Sequence, residues 1–149
     1  MSKPFIILPQ SEMMKFKRWT ATLSSQNTSQ CQKIVFGTCT NIVRKAMRLA
    51  PVNFGFLRAS IGTNATGAGM EAEVWAGGSG IGVNVHYAPY VEFGTGKGVS
   101  VPNELAEYAI QFKGKGIRKV NNRAQPYFFP AVKLSVKEMF TKLHQMGFK

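Results

Sequence analysis

Residues 57–63, LRASIGT, and 70–76, MEAEVWA, carry the reading on which the fold turns. In the first run Leu57, Ala59 and Ile61 alternate with Arg58, Ser60 and Gly62; in the second Met70, Ala72, Val74 and Ala76 alternate with Glu71, Glu73 and Trp75. A period of two puts one set on each face of a pleated strand. Asn64 to Gly69 is turn-like, so the pair is expected to form an antiparallel hairpin with one polar face. Gly77, Gly78, Ser79 and Gly80 interrupt it, and Val83 to Val85 is a candidate third short strand.

Upstream the period changes. From Asn27 onward Ile34, Val35, Thr38, Ile42, Val43, Ala46, Met47 and Leu49 recur at steps of three and four, which predicts a helix. Asn27, Thr28 and Ser29 offer N-caps, Pro51 is the stop, and Lys33, Arg44, Lys45 and Arg48 fill the other face, where cations near the last turn suit the helix dipole. Residues 1–26 are a mixed lead-in whose cations Lys15, Lys17 and Arg18 lie beside Phe16 and Trp19, with no element assigned.

Downstream, Pro89 suits the first turn of a short helix across Tyr87 to Phe93, ended by Gly94. Residues 94–123 form a long basic connection with a short helix expected near Glu104 to Phe112. Gln125 to Phe129 read as extended, and Pro130 opens a terminal helix with Val132, Val136, Met139, Phe140 and Leu143 as its apolar stripe. The expected class is α+β: an antiparallel sheet, made of the hairpin and short strands, packed against a long helix in the first half and a C-terminal helix, with a long basic loop. Residues 27–149 are expected to be a single domain, preceded by the lead-in.

Composition narrows the chemistry. The 149 residues are 44% hydrophobic and 17% charged, enough to build one core without disulfides or a metal. Net charge is +12, and all seven acidic residues are Glu, so the clustered hard carboxylates of Mg²⁺-dependent nucleases are difficult to assemble. Cys31 and Cys39 are eight apart on the expected helix, ~12 Å along its axis and beyond one disulfide, which predicts free thiols in a reducing cytoplasm. The apolar run Phe5 to Leu8 ends at Pro9, far short of a membrane span. A soluble, unexported chain with no membrane contact is expected.

Several catalytic motifs fail. The run Gly94 Thr95 Gly96 Lys97 Gly98 lacks the Gly and the Ser or Thr of a phosphate loop, and Gly77 Gly78 Ser79 Gly80 Ile81 lacks the closing Gly of a nucleophile elbow. His86 and His144 stand far apart without ligand spacing. No catalytic residue, cofactor or metal is expected.

Two blocks remain: Tyr87 Ala88 Pro89 Tyr90 Val91 Glu92 Phe93 Gly94 Thr95 Gly96 Lys97, and Arg123 Ala124 Gln125 Pro126 Tyr127 Phe128 Phe129 Pro130 Ala131. Glu92, between Val91 and Phe93 and beside two tyrosines, needs a partner, and Arg58 is the candidate ion pair. Gly94 and Gly96 permit the positive φ of a sharp exit from the helix. The three aromatics 127–129 exceed what one strand face buries, so they pack internally or, in part, at a subunit interface.

With Ala50 Pro51 and Gly55 Phe56 Leu57 Arg58 Ala59 Ser60 Ile61, these blocks resemble the tail-completion, or minor tail and head–tail joining, proteins of long-tailed bacteriophages, relatives of lambda's minor tail protein Z. The resemblance spans roughly residues 30–145. It implies a non-enzymatic virion protein assembled in the host cytoplasm. It also implies a hexameric homo-oligomeric ring at the neck, between connector or head-closure proteins and the tail terminator or tail tube. Tyr87, Tyr90, Glu92, Phe93, Lys97, Tyr127, Phe128 and Phe129 are then candidate interface residues. Lys113, Lys115, Arg118, Lys119 and Arg123 are candidates to lie near double-stranded DNA in the lumen. Residues 59–96 carry three acids and no base while every other region is cationic, so acidic hairpin faces could meet neighbouring basic segments in a ring. The alternative reading of the charge is a sequence-nonspecific nucleic-acid binder.

Overall fold

The computed structural model describes residues 10–52, 55–66, 70–78, 85–106, 109 and 121–149. Its elements are α1 (Gln10–Thr20), α2 (Ser25–Leu49), α3 (Phe56–Ala59), β1 (Gly62–Thr66), β2 (Glu71–Trp75), α4 (Ala88–Phe93) and α5 (Phe128–Gln145), with 3-10 turns at Gly96–Gly98 and Asn103–Leu105. The class is α+β, as the sequence predicts: among the described residues these helices accompany an antiparallel pair of strands, with Thr63 opposite Val74 and Ala65 opposite Ala72. Among the described residues no helix is long and apolar enough to cross a membrane.

Helix α2 is the spine. It begins two residues before the expected Asn27, because Ser24 is the N-cap and its Oγ accepts from the Asn27 N–H at 3.4 Å. Cys31, Val35, Thr38, Cys39, Ile42 and Ala46 form its buried face, the three-and-four spacing that identified it. Helix α5 runs antiparallel along this face. Cys31 and Val35 meet Leu143 and Phe148 in one cluster, Lys45 Nζ lies 2.7 Å from Glu138, and Ala46 and Ala50 meet Ala131 in another. Phe16 and Trp19 of α1 pack into the first of these, Trp19 and Phe148 with ring centroids 5.3 Å apart. The lead-in cations therefore border an aromatic contact with the main body.

The first half of the expected hairpin is a correction. Leu57 to Ala59 are helical, and the strand starts only at Gly62. Gly55 enters the turn at φ 77, and the Ser60 N–H donates to the carbonyls of Phe56 and Leu57 at 2.9 and 3.2 Å. Ser60 Oγ donates to Leu57 O at 2.7 Å and accepts from the Gly77 N–H at 3.0 Å, joining this turn to the end of β2. With Ala59, Ser60 and Gly62 small, the alternation rests on Leu57 and Ile61 alone, too little apolar surface to choose strand over turn. The second half stands: β2 alternates outward Glu71, Glu73 and Trp75 with inner Ala72 and Val74. Of the candidate third strand, Val85 makes an isolated antiparallel bridge to Gly78, while Val83 lies outside the described residues. Of the helix expected near Glu104 to Phe112, Asn103–Leu105 form a 3-10 turn, Ala106 and Ala109 are helical, and residues 107, 108 and 110–112 lie outside the described residues. The terminal helix starts at Phe128, two residues before Pro130.

Candidate functional site

Pro89 occupies the first turn of α4, where its missing N–H costs nothing, and Gly94 at φ 79 ends the helix after six residues. That geometry points Glu92 inward, 4% exposed. Its Oε2 accepts from the backbone N–H groups of Tyr127 and Phe128 at 2.8 and 2.9 Å, and its Oε1 from that of Phe129 at 3.1 Å. These are N–H groups at the start of α5 that have no partner within the helix. The carboxylate thus caps a helix 35 residues away, aligned with the positive end of its dipole. Burial pushes the Glu92 carboxyl above the ordinary carboxylate range, and the three N–H donors pull against that shift.

The expected Arg58–Glu92 ion pair does not form. Arg58 Nε donates instead to Ala50 O at 3.2 Å, satisfying one of the carbonyls left open at the end of α2. Glu92 obtains its compensation from backbone dipoles, which needs no second charge in the interior.

The chain leaving α4 is pinned against the segment that returns to α5. Thr95 N–H donates to Asn122 O and Asn122 N–H to Thr95 Oγ1, both at 2.9 Å. Lys97 N–H donates to Asn121 Oδ1 at 2.9 Å, Ala124 N–H to Gly98 O at 3.1 Å, and Gln125 N–H to Val91 O at 2.8 Å. The backbones pass so closely that a Cβ at Gly94 would strike Gly98 O, Ala124 N and Asn122 O, and one at Gly98 would strike Asn122 O. The positive φ expected at Gly94 and Gly96 is present, at 79° and 55°. Gly98 and the pair Asn121–Asn122 were not singled out from sequence, although a third Gly at two-residue spacing is the signal for such a crossing.

The two blocks picked out in the sequence are therefore one structural unit. Phe93 stacks on Phe129 with centroids 5.8 Å apart, and Phe128 meets Phe129 edge-on at 5.5 Å. Of the candidate interface residues, Glu92, Phe93 and Tyr127 are buried inside the chain, Tyr90, Phe128 and Phe129 are half-buried, and Tyr87 and Lys97 are exposed. Arg123 is exposed at the base of the basic connection; Lys113, Lys115, Arg118 and Lys119 lie outside the described residues. Among the described residues no group of three or more His, Cys, Asp or Glu could hold a metal ion. Cys31 and Cys39 are free and buried, and desolvation raises both thiols, at Cys39 against a lowering hydrogen bond from Thr63. A groove of about 380 Å³ opens between α1, α2, β2 and α5, lined by Met13, Phe16, Ile42 and Met139 among others.

In comparison with known families, residues 14–94, more than half of the chain, fit the HK97 gp10-like family model, described as "Bacteriophage HK97-gp10, putative tail-component". The match runs from α1 to Gly94 and so contains Glu92, while the partners of Glu92 at 127–129 lie beyond it. No curated protein and no solved structure matches the chain significantly.

Proposed function

Because the chain belongs to the HK97 gp10-like family of bacteriophage tail components, we propose that it is a structural subunit of the phage neck. In this reading copies of the chain form a ring that completes the tail and joins it to the capsid connector. Its neighbours are head-closure proteins on one side and the tail terminator or tube on the other. Membership makes it a virion component of the tail; the ring, the neck position and the joining step are the proposal.

The observation that carries it is the use to which Glu92 is put. A general acid or base needs a lone pair or proton facing a substrate, and a nucleophile needs an open approach. Glu92 is instead buried and spends both oxygens on three backbone N–H groups, which makes it a brace. That brace and the Gly94–Gly98 crossing hold the base of a basic connection in a fixed place. A subunit that must present loops to neighbours at set positions has use for such a base. The net charge of +12 gives the ring a natural counter-charge in DNA passing through its lumen, near Arg123 and the lysines and arginine between 113 and 119.

Electron microscopy of particles assembled without this protein tests the reading. Filled heads and separate tails are the expected result; joined, infectious particles lacking it would refute it. A purified protein that stays monomeric while binding duplex DNA with a steep salt dependence would favour the nucleic-acid alternative.

A further inference from the structure

Helix α2 contains no acidic residue. On the side turned away from its buried face, Lys33, Phe36, Arg44, Met47 and Arg48 recur at helical steps and are all exposed, Phe36 by 52% and Met47 by 37%. Lys33 and Arg48 make no ion pair among the described residues, and Arg44 reaches only the side-chain oxygen of Asn41, at 3.5 Å. This is a cationic stripe with two apolar side chains set into it.

The hairpin presents the opposite chemistry. Glu73 and Trp75 point outward together on β2. The Trp75 ring, 45% exposed, rests against the backbone of its register partner Gly62, in the space a Cβ would fill, so its orientation is set before any partner arrives. Glu12, Glu71, Glu104 and Glu138 each have a lysine partner within the chain, and Glu92 is consumed as a cap. Among the described glutamates Glu73 has neither a lysine partner nor a helix end to cap.

We infer that these two surfaces bind each other between copies: the Glu73–Trp75 face of one subunit docks on the Arg44–Arg48 stripe of the next. Glu73 meets a guanidinium, the Trp75 ring offers its face to the other, and Phe36 and Met47 cover the apolar remainder. Repeated head to tail, the contact joins two different patches of successive copies, the heterologous arrangement from which rings are built when the rotation between copies closes. It rests on the proposal that the protein works as a ring, and it identifies the surface that makes one.

Sedimentation velocity over a concentration series tests it with wild type, Glu73→Lys, and the double variant Arg44→Glu with Arg48→Glu, all substitutions at exposed positions whose folding circular dichroism verifies. Each variant alone sets like charges against each other and is expected to need at least about tenfold more protein to assemble. An equimolar mixture of the two restores opposite charges at every junction of an alternating ring, so assembly should return to near the wild-type concentration. Variants that each assemble like wild type would overturn this interface and leave the ring standing. A wild type that stays monomeric throughout, with no assembly on mixing, would overturn both.

Discussion

Replacing Glu92 with alanine removes a single side chain from α4 but acts on α5. Three N–H groups at the start of that helix lose their acceptor at once. Each hydrogen bond to a charged group contributes about 1.5–3 kcal/mol, so the gross loss is about 4.5–9 kcal/mol. Against this stands the desolvation of the carboxylate, several kcal/mol that the variant no longer bears. Phe128 and Phe129 are also only half-buried, so water reaches part of what is exposed. A net loss of about 3 kcal/mol remains, which at about 2–4 °C per kcal/mol lowers Tm by about 6–12 °C. Urea and thermal unfolding followed by far-UV circular dichroism measure it. A Tm within about 2 °C of wild type would refute the claim that this carboxylate holds the start of α5. The pH dependence supplies a second check. A carboxyl whose folded pKa lies above its unfolded value, about 4.3, is bound more tightly to its proton in the folded state. Its contribution is full below that pH and shrinks as pH rises through the folded pKa. The stability difference between wild type and Glu92→Gln should therefore narrow as pH rises from about 4; a gap that widens would mean that the N–H donors outweigh burial.

Glycine substitutions separate close approach from plain flexibility. Gly94→Ala forces a Cβ into the returning backbone at a φ of 79° and should cost more than about 2 kcal/mol in urea unfolding. Gly37→Ala, in the middle of α2 with open space around it, should instead stabilise by about 0.5–1 kcal/mol. Ser135 buries a hydroxyl oxygen with no hydrogen-bond partner among the described residues, so Ser135→Ala should be neutral or stabilising by up to about 1 kcal/mol; a loss of stability would refute that. Cys31 and Cys39 should react with a thiol reagent at pH 8 far more slowly in the native protein than in denaturant, since both are buried and desolvation keeps them protonated.

The regular, strongly periodic parts of this fold were legible in the sequence. The apolar face of α2, the alternation of β2, Pro89 in the first turn of α4 and the positive φ at Gly94 follow from local rules that neighbours along the chain obey. The resemblance to phage tail proteins was legible too, and the family match over residues 14–94 takes in most of the block 87–97, while the block 123–131 lies beyond it. What local rules left undecided was partnership. Residues 57–61 alternate as a strand would, yet Leu57 to Ala59 are helical, entered at Gly55 and closed at Ser60, whose hydroxyl bridges to Gly77. Arg58 is the nearest plausible counter-charge for Glu92 by inspection, yet it caps α2 while backbone N–H groups 35 or more residues further along take the carboxylate. The outward pairing of Glu73 with Trp75, and the lysine partners of Glu12, Glu71, Glu104 and Glu138, are likewise invisible until the chain is folded. Secondary structure is set by residues a few steps apart, which a sequence displays directly. A buried charge is satisfied by whatever dipoles the packing of distant segments brings within about 3 Å, and only the tertiary structure decides which those are.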